Sequence, residues 1–346
     1  SRIRRYIRRA LFVALLAVGL VFFSTYLFLL GMFVGPKAIF ALTSFLGSIV
    51  RKYIIRTNRN WGHYIGVLLG CFAFGVFVYG LTYGISDIRI RHVDLYFKDL
   101  PKSFEGYRVV HVSDLHLGTF DGWRSKILKA EMDSIEKQKA DLICFTGDLQ
   151  NIRPEEVEKM ASVIRQPMKG TISVLGNHDY TEYIKGDAKE KAAEEARLIK
   201  AEEEILKWTL LRNQNTRITS PAKESVYVCG TENDGRPPFP NYSNYRKAMQ
   251  GVEPNSFVIM LQHDPSAWKH SILPKTTAQL TLSGHTHGGQ MQIFGWRPTS
   301  IRQQEDYGLY EQNGRYLYIT AGLGGLVPFR LNMPNEIAVI TLHVKK

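Results

Sequence analysis

The chain has 346 residues and a formal net charge of +12, enough for one large domain or two smaller ones. Residues 1–92 hold twelve Lys and Arg (Arg2, Arg4, Arg5, Arg8, Arg9, Lys37, Arg51, Lys52, Arg56, Arg59, Arg89, Arg91) against one acid, Asp87, so this stretch carries +11 and the other 254 residues about +1. The nearly neutral body argues against broad nucleic-acid binding, which needs a basic face on the working domain, and three scattered cysteines, Cys71, Cys144 and Cys229, give no disulfide framework and no metal spacing.

The chain opens on Ser1, which predicts a processed or cut start. Residues 10–34 and 64–85 are uncharged apolar runs, each long enough to cross ~30 Å of hydrocarbon at ~1.5 Å per residue. Between them, residues 38–50 form a shorter apolar piece, expected as a third span, a re-entrant segment or a helix lying flat. A cleaved signal peptide fits poorly, because apolar segments continue well past the first run. Basic clusters at 2–9 and 51–59 set the orientation. If both stay cytoplasmic, residues 38–50 help cross back and the remainder lies outside the cytoplasm; if 38–50 lies flat, the remainder is cytoplasmic. The charge placement favours the first arrangement. The expected division is a membrane anchor over 1–87 and a catalytic domain over 88–346.

From Ile88 the texture changes. Apolar runs at 107–112, 141–145, 171–175, 224–230, 256–262, 278–284, 314–322 and 336–344 predict strands, and 123–140 and 154–166 predict helices, the second with a proline at its start. Strands alternating with helices predict an α/β protein, here two packed sheets with flanking helices. Residues 181–208 read as an insertion. Leu198, Ala201, Ile205 and Trp208 fall at 3-4-3 spacing, which predicts one apolar helical face packed on the domain or turned to an acyl chain. The stretch 236–242, RPPFPNY, predicts a rigid aromatic loop beside the site. Gly289 and Gln290 are expected to shape a neighbouring loop. Gly322, Gly324 and Gly325 predict a flexible one, followed by Arg330 on the surface or on a substrate phosphate. His111 lies inside a strand and reads as a satisfied core residue, whereas His63, His92, His270 and His343 have no evident partners.

Five predicted strands run into residues that ligate metals: Asp114-x-His116, Gly147-Asp148, Gly176-Asn177-His178-Asp179, His263-Asp264-Pro265 and Gly284-His285-Thr286-His287. The carboxyl ends of sheet strands are where open α/β folds place their sites. Residues two apart in extended chain point the same way, so Asp114 and His116 are expected to reach one centre, flanked by His285 and His287. Carboxylate, imidazole and carboxamide donors without thiolate suit manganese, iron or zinc. Glycines before Asp148, Asn177 and His285 allow tight turns. Asp179 and Asp264 each follow a histidine and either orient it or cap a turn.

These five motifs resemble those of the calcineurin-like metallophosphoesterases, over residues 107–344. The stretches SGHTHGGQ, YGLYEQNGRYLYITAGLGG and PFRLNMPNEI resemble a membrane-associated bacterial branch, which includes pyrophosphohydrolases acting on UDP-2,3-diacylglucosamine. The resemblance implies a four-layer αββα sandwich, here preceded by transmembrane helices, with two divalent metal ions (Mn, Fe or Zn). Asp114, His116, Asp148 and His287 would hold one ion. Asp148, Asn177, His263 and His285 would hold the other, with Asp148 shared. His178 would donate to the phosphate or the leaving oxygen. The activity implied is hydrolysis of a phosphoester or pyrophosphate by metal-activated hydroxide. The expected partners are a lipid bilayer and a phosphorylated or pyrophosphate-containing, lipid-linked substrate, with no nucleic acid, and the expected place is a bacterial inner membrane with the catalytic domain extracytoplasmic. The alternatives are a nucleotide phosphodiesterase or nuclease on the same site, or a non-catalytic scaffold; intact motifs count against the scaffold.

Overall fold

The computed structural model describes residues 25–345. The chain divides into two units, Ser1–Ile85 with Val327–Leu331, and Ser86–Leu326 with Asn332–Lys346.

In the first unit, described from Thr25 onward, helix α1 covers Thr25–Val50 and ends in a π turn, Arg51–Ile55, while α2 covers Trp61–Thr82. This corrects the expected segmentation. Residues 10–24 lie outside the described residues, whereas 25–34 and 38–50 belong to one helix. Gly35-Pro36 reads as a break because proline lacks an N–H and crowds the preceding turn. In an apolar helix pair such a proline is tolerated when a neighbouring helix packs over it. Gly70 supplies that neighbour: a Cβ there would sit 3.1 Å from the Pro36 carbonyl. Gly62, Gly66 and Gly70, spaced by four, are buried along α2, and a Cβ at Gly62 would fall 2.2 Å from the Thr43 carbonyl. Small residues at this spacing let helix backbones approach closely where lipid gives no hydrophobic drive. The large side chains point outward instead, Leu68 and Phe72 each at 70% exposure. Gly31–Ile55 and Trp61–Ser86 are both long and apolar enough to cross a membrane. Asn60 starts α2, its side chain accepting from the Gly62 N–H and donating to Ser44 and Ser48. His63 gains a partner in Ser44 at 2.8 Å. Phe329 packs on Phe77, and Arg330, only 1% exposed, donates its N–H to the Gly80 carbonyl; Arg330 is therefore not the surface residue its charge predicts.

In the second unit, two six-stranded sheets face each other. The strands are β1 Ile88–Phe97, β2 Tyr107–Val112, β3 Leu142–Phe145, β4 Ile172–Ser173, β5 Thr209–Leu210, β6 Gln214–Thr219, β7 Ser225–Gly230, β8 Phe257–Leu261, β9 Leu280–Ser283, β10 Gly308–Gln312, β11 Arg315–Ile319 and β12 Asn335–Val344. One sheet has the order β1-β12-β2-β3-β4-β5, the other β10-β11-β9-β8-β7-β6. Alternation along each strand sends one set of side chains between the sheets. Val226, Val228, Phe257, Ile259, Leu261, Leu280 and Leu282 meet Val109, Cys144, Ile172, Val174 and Ile340 there. The intervening residues Tyr227, Cys229, Val258 and Met260 face outward, onto Trp268, Ile272 and Tyr245. The parallel strands of the first sheet are joined by α3 Ser125–Glu136, α4 Glu155–Ile164 and α5 Ala188–Lys200. The result is the αββα sandwich.

Helix α5 corrects a second expectation. It ends in a π turn, Ala201–Leu206. The wider turn shifts the inward face by one residue, so Ala201 is followed inside by Leu206 while Ile205 is 37% exposed. Trp208 lies beyond a left-handed cap at Lys207 and packs on Phe145.

His111 is fully buried in β2, its Nε2 2.9 Å from the Thr146 hydroxyl. Burial lowers its pKa to about 3, whereas the unfolded imidazole titrates near 6.5. The unfolded chain therefore takes up a proton that the folded chain refuses. Stability from this site is complete above ~6.5 and is lost as pH falls from there towards 3, by at most about 5 kcal/mol. The expected result is a smaller loss of Tm between pH 7 and pH 4 in His111→Leu than in the parent, measured by thermal unfolding across that range.

Candidate metal centre

Strands β2, β3, β8 and β9 all deliver their C-terminal ends to one place, together with the segment after β4. Asp114 and His116 follow β2, Asp148 follows β3, Asn177 and His178 follow β4, His263 follows β8, and His285 and His287 follow β9. All but His285 are buried.

Two groups of donor atoms share Asp148. On one side, His116 Nε2 lies 3.2 Å from His287 Nε2 and 3.5 Å from Asp148 Oδ2, and His287 Nε2 lies 3.5 Å from Asp114 Oδ1. On the other, His263 Nε2 lies 3.3 Å from Asp148 Oδ2, 3.1 Å from Asn177 Oδ1 and 3.2 Å from His285 Nδ1. The sets Asp114–His116–His287 and Asp148–His263–His285 each keep their ligand atoms within 4.8 Å of one another, and so does His116–Asp148–His178.

The chain reaches this geometry by strained backbone rather than by the extended alternation expected. Asp114, His116, Asp148, His285 and His287 all have left-handed backbone, with φ of 55°, 45°, 59°, 71° and 50°. Each such non-glycine residue costs of order 1–3 kcal/mol, and such strain clusters at functional sites. Cross-loop hydrogen bonds hold it. Asp114 N–H donates to Gly147 O, His116 N–H to Asp148 O, and His285 N–H to the Asp114 carboxylate. Gly147, at φ 95°, makes the expected turn before Asp148. Gly284 is needed for space instead, since a Cβ there would fall 2.2 Å from Asp114 Oδ2. The glycines at 322 and 324 likewise serve contact, not flexibility. Gly324 N–H donates to Asp114 O at 2.7 Å, and a Cβ at Gly324 would meet the Leu115 carbonyl at 2.0 Å.

The donor set fits a cation. His263 Nδ1–H donates to the Thr146 carbonyl at 2.7 Å, so its Nε2 lone pair turns inward. Asn177 donates its amide to the Tyr183 hydroxyl at 3.1 Å, so its carbonyl oxygen turns inward too. These acceptors converge with the Asp148 carboxylate on one point, where only positive charge satisfies them. The electrostatics agree. Burial alone would depress His263, but the Asp148 carboxylate wins and raises it to about 10. Asp148 is held well below the usual carboxylate range against its burial, by His263 and then His178. Burial and the Asp148 charge push Asp114 up to about 7 although His263 opposes them, and burial lowers His116 to about 3.

His178 is fixed at both ends. Its backbone N–H donates to Asp148 Oδ1 at 2.8 Å and its Nδ1–H to the Asn151 carbonyl at 2.7 Å. Asp179 does not reach the imidazole; its carboxylate caps four backbone N–H groups around Asp148. Asp264 caps a turn, accepting from Ser266 N–H; it does not orient His263, whose Nδ1–H goes to Thr146, and its carboxylate lies 3.9 Å from His285 Nε2. The aromatic loop 236–242 brings Phe239 edge-on to His285 at 4.6 Å. Sequence reasoning missed Tyr183, which stacks on His178 at 4.2 Å while holding Asn177. Its only signal is an aromatic residue six positions after Asn177. Of the histidines without evident partners, His343 meets Glu105 at 2.7 Å and His270 lies 3.6 Å from Asp234.

Residues 107–289 match a family model described as calcineurin-like phosphoesterase. A transmembrane protein with metallophosphoesterase domain from Danio rerio is 27% identical over 77% of this chain, which spans 60% of that relative's length. The uncharacterized metallophosphoesterase YkuE of Bacillus subtilis is 30% identical over 70% of this chain and 81% of its own. UDP-2,3-diacylglucosamine pyrophosphatase LpxG of Chlamydia trachomatis is 25% identical over 70% of this chain and 86% of its own.

Proposed function

This chain belongs to the calcineurin-like phosphoesterase family, and from that premise we propose that it is a membrane-anchored, two-metal hydrolase of a lipid-linked phosphoester or pyrophosphate. The carrying observation is the pair of donor groups that share Asp148. Asp114, His116, Asp148 and His287 would hold one cation, and Asp148, Asn177, His263 and His285 would hold the other. When bound, such a pair supplies Lewis acidity to a phosphoryl oxygen and acidifies a water. Manganese, iron and zinc suit these oxygen and nitrogen donors. The chain's own part is orientation and proton supply. Asn151 anchors Nδ1–H of His178, which leaves Nε2 to hold a second proton and pass it to the leaving oxygen. Left-handed loops hold the carboxylates before substrate arrives, so no reorganisation is needed at the moment of reaction.

The lipid-linked substrate class is supported by the apolar helices and by the named activity of the Chlamydia relative. The basic residues Arg51, Lys52, Arg56 and Arg59 separate α1 from α2. Keeping them cytoplasmic carries the chain after α2 to the other face of an inner membrane. The test incubates the manganese-loaded protein with extracted envelope lipids and, separately, with cyclic and linear nucleotides. Release of phosphate or a nucleoside monophosphate from the lipids is the expected result; turnover of nucleotides alone overturns the lipid assignment.

Tyr183→Phe keeps the ring on His178 and removes the acceptor of the Asn177 amide. Affinity for Mn2+ is expected to fall roughly tenfold, the lower end for lost partners of a metal ligand, with kcat at saturating Mn2+ little changed. The Mn2+ dependence of bis(p-nitrophenyl) phosphate hydrolysis measures both.

A further inference from the structure

The loop after His287 carries an unburied aromatic tip. Ile293 and Trp296 pair across a tight turn made by Phe294 and Gly295, both with left-handed backbone, φ 48° and 85°. A phenylalanine in this conformation is strained, yet its side chain packs on nothing: Phe294 is 105% exposed. Ile293 and Trp296 flank it at 41% and 49% exposure, and Ile301, seven residues further along the same loop, is 74% exposed. The base of the loop is rigid. Arg297 makes two 2.8 Å hydrogen bonds to Asp306, whose carbonyl accepts from Thr286, between His285 and His287. The neighbouring Arg302 is exposed and forms no ion pair with a carboxylate among the described residues.

We propose that this loop is a bilayer-inserting tip, with Phe294, Ile293, Trp296 and Ile301 entering the headgroup–acyl boundary and Arg302 meeting lipid phosphate. Three features select lipid as the occupant. The patch is a convex point of four side chains, whereas a stable protein interface needs about 800 Å² per partner with a complementary pocket. Phe and Trp with a free Arg beside them is the composition of interfacial anchors. A bilayer is the one surface to which this chain also carries two apolar spanning-length helices, joined to β1 by residues 83–87. This inference rests on α1 and α2 being embedded as proposed above. It adds a second contact, seven residues beyond His287, that holds the mouth of the metal centre against the surface from which a lipid headgroup would enter.

The test uses the full chain in vesicles of phosphatidylethanolamine and phosphatidylglycerol, with Cys71→Ser removing the exposed thiol, since Cys144 and Cys229 are buried. An environment-sensitive fluorophore is attached at Phe294→Cys. In a second variant it is attached at Asn313→Cys, in the β10–β11 turn at the other end of the sheet. The expected result is a blue shift and a rise of at least about twofold in emission at 294, quenched by acyl-brominated lipid, with neither change at 313. Flotation of the vesicles reports the helices independently. Protein that floats while its label at 294 stays in water overturns the inserting tip alone and leaves a protein partner for the patch. Protein that does not float overturns the anchor and the tip together.

Discussion

Asp148→Ala is expected to bind at most one Mn2+ and to hydrolyse bis(p-nitrophenyl) phosphate at least roughly a thousandfold more slowly than the parent. The size follows from how many roles meet at one carboxylate. Oδ2 lies 3.5 Å from His116 and 3.3 Å from His263, so it belongs to both donor groups. Oδ1 accepts the His178 N–H and so sets the position of the histidine proposed above as proton donor. Removing the side chain takes an oxygen from both donor groups and frees the imidazole at once. A thousandfold loss is about 4 kcal/mol of transition-state stabilisation, within the several kcal/mol a metal centre supplies. Elemental analysis of the purified variant gives the metal count, and its circular dichroism controls for folding. A variant that retains two ions and reacts within tenfold of the parent would show that the carboxylate is not shared.

Asp179→Ala is expected to remove about 3–5 kcal/mol of stability, or on the order of 10 °C in Tm, even with chelator present. Its buried carboxylate accepts from Gly176 N–H and Asp148 N–H at 2.8 Å, from Leu149 at 3.1 Å and from Gln150 at 3.3 Å. Without it, four buried donors lose their acceptor together, and each costs ~1–3 kcal/mol if nothing replaces it. The same N–H groups belong to the loop that holds Asp148 in left-handed backbone, so metal affinity falls as well. Asp179→Asn keeps one accepting oxygen and turns an NH2 towards the remaining donors; its loss is expected to be intermediate. Thermal unfolding with and without Mn2+ separates the two effects. Equal Tm values for Asp179→Ala and parent in chelator would remove Asp179 from the scaffold of the loop.

Central strands and the residues that follow them were legible because their signals are local. A fully buried strand such as Phe257–Leu261 is a continuous apolar run, and His263 stands two residues beyond it. The four strands missed, β1, β5, β6 and β10, are the four edges of the two sheets. Edge strands are half in water, so polar and apolar residues mix, as in Gln214–Thr219. What a side chain does through space was less legible. The left-handed backbone at Asp114 and His116 is not fixed by residue type, because hydrogen bonds to distant loops hold it. The glycines at 284 and 324 look like flexible positions, although each is small because Asp114 or Leu115 lies against it. Ile205 reads as core until the π turn moves Leu206 into its place.

Strand β12 sits between β1 and β2, parallel to the first and antiparallel to the second. Ile88 pairs with Asn335, 247 positions later (335 minus 88). A chain emerging from the ribosome therefore presents β1 and the ligand-bearing loops long before the strand that joins them exists. Closure over such a separation is slow and comes late. The loops that carry the candidate ligands thus wait in an unfinished sheet while α1 and α2, made first, are already available to the translocation machinery. Shortening the gene to stop before Asn335 would leave every candidate ligand encoded but β1 cut off from β2, the first strand that carries them.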